Sequence, residues 1–217
     1  MQLFGRKKAI IFDMDGVLVD SEKYYIKLIT EMLALKGIMV DKRKLYPIIG
    51  ADKQQCLKYI CSLVNKYGKE EGLEQEILAY LNNNRPNYKT LLFDEVVNVL
   101  GNLAKRGYIL ALASSSSLKT IDKMLNETGL GKYFEIVVGG DQLSKSKPDP
   151  MIYNYTINRL GLKKEECIIV EDSKYGVEAG KCAGVNVIAV NREELCQQQN
   201  SADMIIDTLQ KLETVLK

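Results

Sequence analysis

The chain contains no histidine among its 217 residues. That absence excludes imidazole general bases, Ser-His-Asp triads and His-ligated metal centres. Any chemistry falls to carboxylates, lysine, serine, tyrosine or cysteine. Cysteine is sparse and unpaired in pattern: Cys56, Cys61, Cys167, Cys182 and Cys196 are odd in number and form no C-x-x-C. Reduced structural thiols are expected, not a disulfide framework or a zinc site. Long apolar runs are missing as well. The basic N-terminal stretch ending in Lys7-Lys8 is followed only by Ala9-Ile10-Ile11-Phe12 before Asp13, far short of a signal-peptide core or a membrane span. A cytoplasmic protein with no membrane role is the expectation. Charge of one sign is also lacking: 30 Lys and Arg stand against 28 Asp and Glu. A dedicated nucleic-acid binder would carry a strong basic excess, so no nucleic-acid partner is expected.

What is present is enough apolar residue, 46%, to bury a core in one large domain or in a core with a smaller insert. Short β-branched runs recur at Ala9–Phe12, Tyr108–Ala113, Phe134–Val138, Cys167–Val170 and Val187–Val190, with Met204–Ile206 as a sixth at an edge. Runs without alternation fit strands buried on both faces of a parallel sheet. Amphipathic helices separate them. Asp94 to Arg106 places Val96, Leu100 and Leu103 on one face, with Gly107 as stop. Leu118 to Thr128 carries Ile121, Met124 and Leu125 inside. Asp149-Pro150 reads as an N-cap followed by a first-turn proline, opening a helix that ends at Gly161. Strands alternating with helices predict a doubly wound, Rossmann-like α/β core.

Residues 21–89 break the rhythm. Ser21 to Gly37, Asp52 to Tyr67 and Glu70 to Asn82 look helical, and no strand is evident among them. The expected organisation is an α/β core over 1–20 and 90–217 with a helical cap over 21–89.

In open parallel sheets, sites form at the carboxyl ends of the strands. The first strand ends in Asp13-Met14-Asp15-Gly16, two carboxylates two residues apart with a glycine for the turn. One carboxylate is suited to attack phosphorus, the other to carry a proton, and both to hold Mg²⁺; an Asp-Gly turn is the plainer alternative. The second strand ends in Ser114-Ser115-Ser116-Ser117, a phosphate seat or a helix N-cap. After the third comes Lys147 before Pro148, whose backbone is thereby held extended. Its neighbour Lys145 reads as solvated, as does the run Lys42-Arg43-Lys44. The fourth ends in Glu171-Asp172, adjacent acids at the end of a buried strand, where a metal would offset the cost of burying them. Four such sets in order form a joint signal that none makes singly.

These residues resemble the haloacid dehalogenase superfamily of phosphohydrolases, in D-x-D-G at Asp13–Gly16, Ser114, Lys147-Pro148 and Glu171-Asp172. The helical insert and the stretch from Glu171 to Gly180 are similar to the subgroup of β-phosphoglucomutase and small sugar-phosphate phosphatases. The resemblance implies that Asp13 becomes an aspartyl phosphate and that Asp15 protonates the leaving oxygen and then activates water. It also implies that Mg²⁺ is held by the Asp13 carboxylate, the Asp15 carbonyl and Asp172, with Glu171 nearby or ligating. Ser114 and the Ser115 amide would hold phosphate oxygens, and Lys147 would balance charge.

The pattern departs from the mutase in the insert. Tyr24 and Tyr25 stand where the mutase carries a histidine, and Gly50-Ala51-Asp52-Lys53 where it carries Gly and then Arg. The expected activity is hydrolysis of a small phosphorylated metabolite, a sugar phosphate among the candidates, with mutase chemistry as the alternative. Tyr25, Tyr46, Lys53 and Arg85 are candidate specificity groups, and the hinges fall near Leu18–Ser21 and Tyr88–Leu92. A monomer, or else a dimer, is the expected assembly.

Overall fold

The computed structural model describes residues 4, 7–65, 72–192, 195 and 197–216; Tyr67, Glu70 and Cys196 lie outside them. Six strands form one parallel sheet: β1 (Ala9–Phe12), β2 (Ile109–Ser114), β3 (Phe134–Gly139), β4 (Cys167–Glu171), β5 (Asn186–Val190) and β6 (Met204–Ile206), in the order β3-β2-β1-β4-β5-β6. The short apolar runs became strands because the sheet is covered on both faces. Alternate residues feed two separate apolar clusters. Ile10, Phe12, Leu110, Leu112, Ile168 and Val170 enter one; Ala9, Ile11, Ala111, Ala113, Cys167 and Ile169 enter the other. All four residues of β1 are fully buried.

The first face is covered by α5 (Val96–Lys105), α6 (Leu118–Thr128) and α9 (Leu212–Val215), the second by α7 (Met151–Leu160) and α8 (Lys174–Cys182). The second face is rich in alanine, with Ala9, Ala111, Ala113 and Ala189, and α8 lies close to it: a Cβ on Gly180 would stand 2.6 Å from Val187 Cγ2. Chain order reverses direction between β1 and β4, the switch point at which open sheets make their sites.

Between β1 and α5 the chain forms α1 (Ser21–Leu35), α2 (Lys53–Val64), α3 (Leu73–Asn83) and the single turn α4 (Tyr88–Leu91). The first three pack on a third apolar cluster of their own, including Ile26, Leu33, Leu45, Ile60 and Ile77. The two linkers to the sheet run side by side. Val19 bridges Leu92 in antiparallel fashion, Asp20 N–H donates to Leu91 O, and Phe93 N–H donates to Leu18 O.

The structure shifts some expected boundaries. The helix expected from Asp149-Pro150 begins at Met151, with the Asp149 carboxylate accepting from Met151 N–H. That expected from Asp94 begins at Val96. Lys42, Arg43 and Lys44 open a 3₁₀ turn, Lys42–Ile48, capped by the Asp41 carboxylate, which accepts from the Arg43 backbone N–H and guanidinium. Lys145 reaches Asp149 at 3.1 Å at the surface, where such pairs contribute little. Among the described residues no helix is long and apolar enough to cross a membrane.

Candidate active site

Asp13 extends β1 by one ladder bond, its N–H donating to Val170 O at 3.0 Å. The chain then turns sharply: Leu18 N–H donates to Met14 O and Gly16 N–H to Val19 O. Gly16 sits at φ +74°, open to glycine and strained for other residues. A side chain there would also collide with Asp172, since a Cβ would stand 1.9 Å from Oδ2. The β1 and β4 strand ends are therefore in direct contact.

Lys147 lies between their carboxylates. Its Nζ is 2.6 Å from Asp13 Oδ1, 2.6 Å from Glu171 Oε1 and 3.3 Å from the carbonyl of Ala113 at the end of β2. Only 2% of the residue is exposed, so the ammonium and its two carboxylates are shielded from solvent and screened little. The peptide joining it to Pro148 is cis.

Glu171 is fully engaged. Oε1 accepts from Lys147 and from the Tyr153 hydroxyl; Oε2 accepts from the backbone N–H groups of Asp172 and Ser173 and from the Ser173 hydroxyl. Gly176 lets the first turn of α8 lie against this carboxylate, for a Cβ would stand 1.8 Å from Oε1. Ser173 caps that helix, accepting from Gly176 N–H.

Asp172 is the opposite case. It is 1% exposed, and its Oδ2 is buried with no hydrogen-bond partner. A partnerless buried carboxylate oxygen is costly. Oxygens of Asp13, Glu171 and Asp172 lie within 4.8 Å of one another. This donor set is all hard oxygen, as Mg²⁺ requires, and it carries more negative charge than Lys147 balances.

Asp15 is held by three hydroxyls. Ser21 Oγ donates to Oδ1, while Ser114 Oγ and Ser116 Oγ donate to Oδ2 at 3.3 and 3.0 Å. Ser114 also accepts from Ser116 N–H, and Ser117 caps α6.

Burial controls the titration of the cluster. It is the main force pushing the Asp13 carboxyl up to about 8; Lys147 opposes the shift, and Glu171 and Asp15 add to it. Burial raises Asp15 too, against the pull of its serine hydroxyls. Asp172 rises well above the ordinary carboxylate range through burial and the neighbouring Glu171, Glu22 and Asp13. Burial alone would lower Lys147, but Asp13 and Glu171 hold it well above the usual lysine value.

A cleft of about 570 Å³ lies between the sheet end and the helical insert and reaches the site through Ser115, Ser116 and Glu22. The Glu22 carboxylate accepts from Gly50 N–H, and burial beside Asp15 pushes it up to about 8. Tyr25, Lys53 and Arg85 line the cleft. Tyr46 does not: it packs on the insert's own apolar cluster.

The structure thus brings Asp13, Asp15, Ser114, Lys147, Glu171 and Asp172 to one sheet end, with Ser115 on the cleft wall. Sequence reading missed the roles of Ser21, Ser116, Tyr153 and Glu22. Ser21 and Ser116 carried only the ambiguous signal of serines beside motifs, and Tyr153 only its place on the helix after Lys147.

A carboxylate cluster at the switch point of a parallel sheet, around a buried lysine, is the site of an α/β enzyme. The sequence profile described as "Haloacid dehalogenase-like hydrolase" matches residues 10–190, and the chain belongs to that family as one of its enzymes. It is 34% identical over 192 residues to the "Phosphorylated carbohydrates phosphatase" of Thermotoga maritima, covering 83% of each chain. It is 29% identical to a "Phosphoglycolate phosphatase" of Pseudomonas savastanoi over 97% of this chain and 81% of the other. The β-phosphoglucomutase structure from Clostridium difficile superposes with a TM-score of 0.76 at 21% identity, covering 95% of this chain and 93% of that one; this likeness speaks to the fold alone.

Proposed function

We propose that the protein is a Mg²⁺-dependent phosphatase that hydrolyses a small phosphorylated metabolite through an aspartyl phosphate on Asp13. The observation that carries this reading is the Asp13 carboxylate, clamped by Lys147 at 2.6 Å beside the partnerless oxygen of Asp172. A sugar phosphate suits the name of the Thermotoga relative.

In the first half-reaction an Asp13 oxygen forms a bond to phosphorus while the ester P–O bond breaks. Asp15 gives its proton to the departing oxygen. In the second half-reaction Asp15 takes a proton from water, whose oxygen displaces Asp13 and releases inorganic phosphate. The raised Asp15 carboxyl favours the protonated form that the first step needs. Lys147 holds Asp13 in place and balances the charge gathering around phosphorus. Ser114 and the Ser115 amide receive phosphate oxygens, and Ser21 and Ser116 orient Asp15. The Asp13 carboxylate, the Asp15 carbonyl and Asp172 would hold Mg²⁺, which neutralises phosphoryl oxygens when bound. With all its donors in place, Glu171 positions Lys147 and the start of α8. The helical insert, residues 21–89, acts as the cap that excludes water.

The test uses purified protein, Mg²⁺ and p-nitrophenyl phosphate, followed by a panel of phosphorylated metabolites. Phosphate release that disappears in Asp13→Asn is the expected result; turnover persisting in that variant would overturn the mechanism. With β-glucose 1-phosphate and a bisphosphate primer, inorganic phosphate is expected as product. Glucose 6-phosphate would establish the mutase alternative.

A further inference from the structure

We infer that Arg192 is a positioning residue that clips both linkers of the helical insert onto the turn following Asp15, and so sets the shape of the metal site. Arg192 lies just beyond the end of β5, one strand away from the acidic pair. Its Nε donates to the carbonyl of Gly16 at 2.7 Å, and one terminal nitrogen donates to the carbonyl of Val17 at 3.3 Å. Its guanidinium stacks on Phe93, with 3.8 Å between its central carbon and the ring centroid. Gly16 and Val17 belong to the first linker and Phe93 to the second. One side chain therefore grips both strands of the neck, next to the bridge between Val19 and Leu92.

The grip falls where the chain is softest. Gly16 has the widest backbone freedom of any residue in the turn, yet its position decides two things. It links Asp15 to the rest of the turn, and its α-carbon lies against the Asp172 carboxylate with no room for a methyl group. Fixing the Gly16 and Val17 carbonyls restrains the peptides that follow Asp15 and keeps the turn seated on Asp172. Arginine suits this task because its rigid fork serves two acceptors while its flat face stacks on an aromatic ring. Lysine offers a point charge with neither the fork nor the stack. Burial lowers the Arg192 value from that of a free guanidinium, while the nearby charges of Asp172, Glu95 and Asp20 oppose the shift.

The inference rests on the proposed metal site formed by Asp13, the Asp15 carbonyl and Asp172, and its test separates the two ideas. Binding of Mn²⁺, used as the probe, is measured on the full chain by electron paramagnetic resonance of the free ion, alongside the thermal midpoint. Arg192→Met should bind Mn²⁺ about 10–100-fold more weakly than the unchanged chain, the range typical of lost outer-shell support. Arg192→Lys, which keeps the charge, should recover only part of that loss. Phe93→Leu, which removes the stack but not the hydrogen bonds, should lose less than Arg192→Met. If Arg192→Met does not fold, Arg192→Lys decides. Mn²⁺ affinity within twofold of the unchanged chain in the folded Arg192 variants overturns the inference. Failure of the unchanged chain to bind Mn²⁺ overturns the metal site itself.

Discussion

Asp13 shows what burial does to a single side chain. Its carboxyl is pushed up to about 8 by burial, with Glu171 and Asp15 reinforcing the shift and Lys147 opposing it. In the unfolded chain an aspartate titrates near ~4. Between those values the folded protein holds a proton that the unfolded chain has released, so stability drains away as pH rises through that window. Asp172 and Glu22 are shifted the same way and add to the slope. In a chelating buffer the thermal midpoint should therefore fall between about pH 5 and pH 8. Millimolar Mg²⁺ should remove most of the fall at the upper end, by favouring the ionised cluster. A pH slope indifferent to Mg²⁺ would mean that the cluster does not take up the ion. The residues placed here from sequence, Asp13, Asp15, Ser114, Lys147, Glu171 and Asp172, were legible because each ends a strand, follows one directly or stands in the loop beyond it. Tyr153 and Arg192 were not. Their partners lie 18 and 176 positions away, and only the packed fold reveals the approach.

The strands were readable for a reason specific to each element. β1 and β4 are buried on both sides, and β2 and β5 at all but their first residue, so their apolar runs are nearly continuous; for β1 to β5 the structure moves no end by more than one residue. The turn Lys42–Ile48 and the short α4 went unread because 3₁₀ and single-turn helices have too few residues to show a period. Stops at glycine are clearer. Gly129 closes α6 at φ +70°, with open space where a Cβ would lie. Gly129→Ala should therefore cost only backbone strain, about 1–2 kcal/mol. Denaturant melts should show that loss while turnover of p-nitrophenyl phosphate stays unchanged. A loss much above that range would mean that the end of α6 has packing partners not evident in the structure.

At the scale of the molecule, one close approach between the insert and the α/β core lies at Gly50. Gly50 lies at φ +75°, and a Cβ there would stand 2.2 Å from Ser173 Oγ at the head of α8. The neighbouring Gly50 N–H donates to Glu22 at the cleft. Gly50→Ala should prevent the insert from seating, lowering kcat/KM about tenfold or more while secondary structure by circular dichroism is retained. Wild-type kinetics in this variant would show that seating is not needed for turnover. The sequence suggested the insert through its missing strands. It could not show this contact, because seating depends on two surfaces meeting across the cleft.

The strand order also governs when the protein can first act. β1 pairs with both β2 and β4, and Lys147 reaches Asp13 across 134 positions of sequence. As the chain leaves the ribosome Asp13 emerges early, but Lys147, Glu171 and Asp172 come much later. On the proposed mechanism, a nascent chain therefore carries the nucleophile before the groups that would let it act. The site of the proposed reaction is complete only once β4 lies beside β1, so activity would report that the chain has folded at least through β4.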